Sequence, residues 1–139
     1  MRALNKINIV HPFGKVLLMV FLTIVHLPVQ AANDTVQRYP NVIAVRVWHD
    51  AGDLYNFDVT ISSPYDTQQR YADAFRVKDK NGIVLGERKL LHDHEDEQPF
   101  MRDLYGVNIP KGTRSVIVEA RDQKYGYGGA KMEVVLPER

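Results

Sequence analysis

Tyr55-Asn56-Phe57-Asp58-Val59-Thr60-Ile61-Ser62 decides the fold. Tyr55, Phe57, Val59 and Ile61 fall on one side, and Asn56, Asp58, Thr60 and Ser62 on the other. Side chains of an extended chain alternate between two faces, so this stretch is a strand with one dry face and one wet face. Working outward, residues 41–48 repeat the pattern with Ile43, Val45 and Val47 opposite Val42, Ala44, Arg46 and Trp48. Both of those faces are fairly apolar, which predicts a central strand. His49-Asp50-Ala51-Gly52-Asp53 joins the two strands, with Gly52 supplying the positive φ of a tight reversal.

A second hairpin is expected from strands at 71–78 and 83–91 around Asp79-Lys80-Asn81-Gly82, with Phe75 and Val77 inward. Alternation falters at Gly86, where a bulge or a change of sheet is expected. Further short strands are predicted at 100–105, 115–120 and 130–136. They place Val116, Val118 and Ala120 inward, and Met132, Val134 and Leu136 on one face. Tyr125-Gly126-Tyr127-Gly128-Gly129 reads as a loop. No stretch has the length and 3.6-residue period of a substantial helix. About seven short antiparallel strands argue for an all-β fold, an immunoglobulin-like β-sandwich, with a small β-barrel as the alternative.

Before these strands the chain reads differently. Arg2, Lys6 and Lys15 are followed by an uncharged run over 16–29 and by the small residues Ala31 and Ala32. That order is the signature of a secretory signal peptide, with cleavage near Ala31 or Ala32. The run is short of the roughly 20 apolar residues that span a bilayer, and it contains Pro28. The expected organisation is a signal peptide at 1–32, a tail at 33–40 and the sandwich at 41–139. The mature form would be periplasmic or secreted, without an integral membrane span.

Of 18 Lys and Arg residues three precede the cut, whereas all 17 acids follow it, so the mature charge is 15 − 17 = −2. Basic residues are scattered among acids, which argues against a nucleic-acid partner. With no cysteine, the chain has no disulfide, thiolate nucleophile or thiolate metal site. Packing must hold the domain together.

Two resemblances follow from longer stretches. Ile109-Pro110-Lys111-Gly112, the strand ending Ala120-Arg121-Asp122, the glycine-rich stretch and the last strand resemble the final strands of bacterial extracellular immunoglobulin-like domains. Tyr71-Ala72-Asp73, Val84-Leu85-Gly86, Leu90-Leu91-His92, His94 with Asp96-Glu97-Gln98-Pro99-Phe100, Gly106-Val107 with Ile109-Pro110, and Gly126-Tyr127-Gly128-Gly129 resemble a family of short exported bacterial proteins of unassigned function. In that family histidines often stand where this chain has Arg70 and Tyr125, which implies a depleted histidine cluster here.

His92-Asp93-His94-Glu95-Asp96-Glu97 is the densest group of functional side chains. In an extended segment His92 and His94 project to one side and present two imidazoles to one ion. Imidazole suits Zn or Cu, and Asp96 or His49 would complete the set. The same acids could hold Ca²⁺ as hard oxygen ligands. Against this stands a solvated loop whose charges protect an edge strand. Tyr125 and Tyr127, with Glu95 and Glu97, are the candidates for an interaction loop, because tyrosine offers large contact area at small entropic cost. Tyr65 joins them if the topology brings the two loops together. Trp48 is expected in the core with its N–H satisfied. No nucleophile elbow, His-Glu-x-x-His helix or cofactor fingerprint occurs. The leading expectation is therefore a non-enzymatic exported envelope protein that binds a protein partner and carries no cofactor. The alternatives are a periplasmic Zn- or Cu-binding protein and an enzyme of unrecognised type.

Overall fold

The computed structural model describes residues 36–139, so the expected signal peptide and its cleavage near Ala31 or Ala32 lie outside the described residues. Seven strands follow one another: β1 (Asn41–His49), β2 (Leu54–Ser62), β3 (Ala72–Lys78), β4 (Val84–Lys89), β5 (Phe100–Asn108), β6 (Ser115–Asp122) and β7 (Gly126–Val135). The one helical element among the described residues is a single 3₁₀ turn, Glu95–Glu97. No described helix is long and apolar enough to cross a membrane. All pairings are antiparallel, in a three-stranded sheet β1-β2-β5 and a four-stranded sheet β4-β3-β6-β7. The sandwich expectation holds.

The alternation on β2 does what its pattern requires. Tyr55, Phe57, Val59 and Ile61 are buried and pack with Phe75, Val77, Val116, Val118 and Ala120 from the other sheet. Fully burying side chains of this size stabilises by about 1.5–3 kcal/mol each. The same layer takes in Met132, Val134 and Leu136 from the C-terminal end.

Four expectations are corrected. β1 is an edge strand, not a central one. Its pairing with β2 skips a residue between Val42 and Ala44, so Ile43 is extruded and 47% exposed, while Val42, Val45 and Val47 face inward. A bulge changes which parity faces the core, and alternation alone cannot register one. The bulge also leaves Trp48 half-buried rather than in the core. Its ring lies edge-on to Tyr105 at 5.9 Å, and the Arg46 guanidinium sits 5.2 Å from its centroid. Finally, Tyr127 lies within β7, since the turn occupies residues 123–125 and the strand starts at Gly126. The irregularity expected at Gly86 is present, with Leu85 as the extra residue between the Val77–Gly86 and Lys78–Val84 pairs.

Each side of the sandwich has its own seam. On one, Arg88 of β4 donates to the Asp103 carbonyl of β5 at 2.9 Å and pairs with its carboxylate at 2.9 Å. On the other, the segment entering β1 crosses the start of β7. Asn41 accepts from the Ala130 N–H at 2.8 Å, and Gln37 donates to the Tyr39 and Ser62 carbonyls. This crossing explains two glycines. A Cβ on Gly128 would lie 2.5 Å from the Tyr39 ring, and one on Gly129 2.3 Å from the Pro40 carbonyl oxygen. Gly129 also has φ +78°, which L side chains rarely adopt.

Gly129→Ala should therefore destabilise by more than about 2 kcal/mol, combining strain with a backbone clash. Gly82→Ala, at φ +88° with nothing within 4 Å of its Cβ, should lose only the strain, about 1 kcal/mol. Urea denaturation of the two variants checks the difference; equal losses would show that the crossing tolerates a methyl group.

Candidate functional site at one end of the sandwich

Buried polar groups are costly unless bonded. Of the six buried polar or charged residues among those described, four gather at one end of the sandwich: Ser63, Asp66, His94 and Asp122. The β2–β3 loop, the β4–β5 loop, the β6–β7 turn and the segment before β1 meet there.

Asp122, at the end of β6, is fully buried. One oxygen accepts the N–H groups of Lys124 and Tyr125 at 2.9 and 2.8 Å, which shapes the turn, and the other accepts Arg70 Nε at 3.0 Å. The Arg70 guanidinium lies between two rings, 4.1 Å from the Tyr65 centroid and 4.8 Å from that of Tyr125, and donates to the Arg38 carbonyl at 2.5 Å. One arginine thus ties together all three loops on this side of the end. Burial, reinforced by the neighbouring Asp122 carboxylate, pushes the Tyr65 hydroxyl far above its ordinary pKa, and its oxygen has no hydrogen-bond partner. Tyr125 is 40% exposed, with Tyr39 edge-on at 6.2 Å and Arg38 and Lys124 near its ring.

Asp66 anchors the other side. Its two oxygens accept the Ala72 N–H at 3.0 Å and the His94 N–H at 3.2 Å. Gln98 adds a second tie, accepting from the Ser63 N–H at 2.7 Å and donating to the His94 carbonyl at 3.1 Å. The Gln98–Pro99 bond is cis. His94 is buried, stacked on Phe100 at 3.8 Å between ring centroids, with the exposed His92 ring 4.8 Å away. Neither ring nitrogen of His94 has a partner, and Nδ1 stands 3.9 Å from Asp66, too far for a hydrogen bond. Burial lowers the His94 pKa, with Arg102 and His92 adding repulsion, while burial raises that of Asp66. Both shifts favour uncharged forms.

The expected metal residues are only partly brought together. His92 and His94 are neighbours. Asp96 is exposed on the 3₁₀ turn. His49 bonds the Gly52 carbonyl at 2.9 Å in the β1–β2 turn. It pairs with Tyr55, which lies opposite Val107, whereas His94 stacks on Phe100. The β2 residues opposite those two positions, Tyr55 and Ile61, stand six residues apart, roughly 20 Å at the usual strand rise. No group of three or more His, Cys, Asp or Glu residues converges as a metal ligand set among the described residues. Glu95 is exposed, and Glu97 pairs with Arg102 at 2.9 Å, which holds its carboxyl below the usual range. Tyr125 lies at this end of the sandwich and Tyr127 on the outer sheet face.

Sequence reading missed Asp66, and used Asp122, Gln98 and Arg70 only in resemblances. A signal existed: a lone acid opening a turn, as Asp122 does before Gln123-Lys124-Tyr125, is the pattern for a side chain that bonds nearby N–H groups.

No family model matches the chain, and no solved structure matches it. A Halomicrobium mukohataei protein described as "Putative lipoprotein" is 38% identical over 97 residues, 70% of this chain and 47% of that protein. The chain spans about half the length of this relative.

Because Asp122 is fully buried and the Arg70 side chain is 24% exposed, removing the guanidinium should cost about 2–3 kcal/mol, below the value for a fully buried pair. Arg70→Met combined with Asp122→Asn should lose less than the two single changes added together, measured in a denaturation double-mutant cycle. Strict additivity would show that the contact carries no coupling.

Proposed function

We propose that the chain is an exported, envelope-associated protein whose sandwich is a non-enzymatic interaction module that presents one loop end to a protein partner. The carrying observation is the Arg70 clamp: three loops are fixed around one buried carboxylate, yet Tyr125 remains exposed above it. A surface fixed before binding loses little entropy on association, and tyrosine and arginine are the side chains that contribute most at interface centres. Arg38 and Lys124 on one side, with Glu95, Asp96 and Glu97 on the other, give this end two patches of opposite charge. Export is supported by the order of charge, apolar run and small residues at the N-terminus, and by the lipoprotein description of the relative.

An immunoglobulin-like topology is supported by the strand order. Relative to the constant-domain arrangement, the fourth strand pairs with the third rather than with the fifth.

Quantitative capture from envelope extracts tests the reading. The protein and a Tyr125→Ala, Glu95→Lys, Glu97→Lys variant of unchanged stability should differ in at least one partner, whose purified form then binds the parent alone. Identical capture by both would end the proposal.

A second reading rests on the two partnerless nitrogens of His94 beside His92: the pair binds Zn²⁺ or Cu²⁺, with water completing the coordination. Calorimetry should then show heat that disappears in His92→Ala and in His94→Ala. No heat at micromolar protein, or heat that survives both changes, would exclude it.

A further inference from the structure

The outer face of the four-stranded sheet carries a groove of about 390 Å³, within the size range of small-molecule sites. Its origin is a single small side chain. Ala74 on β3 pairs with Lys89 on β4 and with Arg121 on β6, and Arg121 pairs with Tyr127 on β7. The row across the sheet thus reads long, methyl, long, aromatic. Neighbouring strands stand about 4.8 Å apart, so the missing side chain at Ala74 leaves a trough between tall walls. Tyr71, just before β3, also lines it.

The Tyr127 wall is held in place before any ligand arrives. Its hydroxyl donates to Glu87 at 2.7 Å, and the Arg76 guanidinium lies 3.7 Å from its ring centroid. Burial, together with the Glu87 carboxylate, pushes the Tyr127 hydroxyl above its ordinary pKa, so it stays a donor. Asp73 and Arg121 form an ion pair in the groove; the second Asp73 oxygen is buried beneath it without a hydrogen-bond partner, so the paired oxygen is the one a ligand reaches.

These features select the ligand. The charges lining the groove are Asp73 and Glu87 against Lys89 and Arg121, a balance of zero. An ion of either sign would compete with the Asp73–Arg121 pair and leave one member exposed to an unbalanced charge. A hydroxyl group both donates and accepts, so it can bridge carboxylate and guanidinium without displacing either. Tyrosine rings offer flat apolar surfaces for C–H groups. We propose that this groove binds a neutral polyhydroxylated ring, the sugar unit of a glycan, with Tyr71 and Tyr127 against its apolar faces and Asp73, Lys89 and Arg121 taking its hydroxyls. The site is independent of the loop-end interaction, because none of its walls contributes to the Arg70 clamp.

The test is an amide NMR titration of the purified protein with glucose, maltotriose, cellotriose and chitotriose, and with glucose 6-phosphate and glucosamine as charged counterparts. The expected result is saturable shifts at Asp73, Ala74 and Tyr127 with at least one neutral sugar. Tighter binding of a trisaccharide than of glucose identifies a polymeric glycan, and equal binding a free sugar. Ala74→Leu, which fills the trough, should weaken binding about tenfold or more. Tyr127→Ala should do the same while leaving the floor intact, so the site stays testable if the leucine is not accommodated. Absence of saturable shifts with every neutral sugar, shifts confined to the charged counterparts, or undiminished binding by a folded Tyr127→Ala would overturn the proposal.

Discussion

Burial of the one-sided stripe on β2 against the facing strands β3 and β6 is the constraint on which the rest depends. Tyr55, Phe57, Val59 and Ile61 cannot be covered from within their own sheet, because β1 and β5 lie beside β2 and not above it. Only a second layer removes them from water, and Phe75, Val77, Val116 and Val118 supply it. With no disulfide to hold the layers, this shared apolar interior and the two seams are what keep them in register. The seams solve different problems. Arg88 and Asp103 bridge the sheets with charge, whereas Gly128 and Gly129 bring backbone against Tyr39 and Pro40 by leaving out side chains.

Such a frame confines function to what the core does not use. Its loop end is built around buried Asp66 and Asp122, whose oxygens are taken up by N–H groups of several loops. Burying those carboxylates would be unfavourable without these partners, so the partners and the loop conformations come as one unit. A surface assembled in this way differs from a flexible tip. The outer face of the four-stranded sheet is organised on another principle, a lattice in which Arg76 and Lys78 meet Glu119 and Arg121 meets Asp73. Within that lattice the small side chain of Ala74, between Lys89 and Arg121, makes a groove.

The candidate site was legible only in part. The density of ionisable groups at 92–97 drew attention to one loop, and the tyrosines at 125 and 127 to the neighbouring hairpin. His92 and His94 lie together, as their spacing suggested, but on a bend that leaves one ring exposed and the other buried. His49 could not be judged from the sequence, because its distance from them depends on which end of the sheet each loop occupies. The joining of Tyr65 to Tyr125 was conditional on topology, and the topology satisfies it through Arg70. Asp66 and Asp122 escaped because an acid in a turn looks the same whether it faces water or a ring of N–H groups.

By itself the sequence determined the alternation of β2, β3 and β6, the hairpin turns at Gly52 and Gly82, and therefore two layered antiparallel sheets. These follow from local rules, the period of two and the need for positive φ, which act between residues close in the chain. Tertiary structure alone decided that β1 is an edge strand with a bulge at Ile43, that Gly128 and Gly129 serve a crossing rather than a loop, and that Arg70 finds Asp122. Each of these depends on an atom contributed by a segment distant in sequence, and no local pattern specifies that atom.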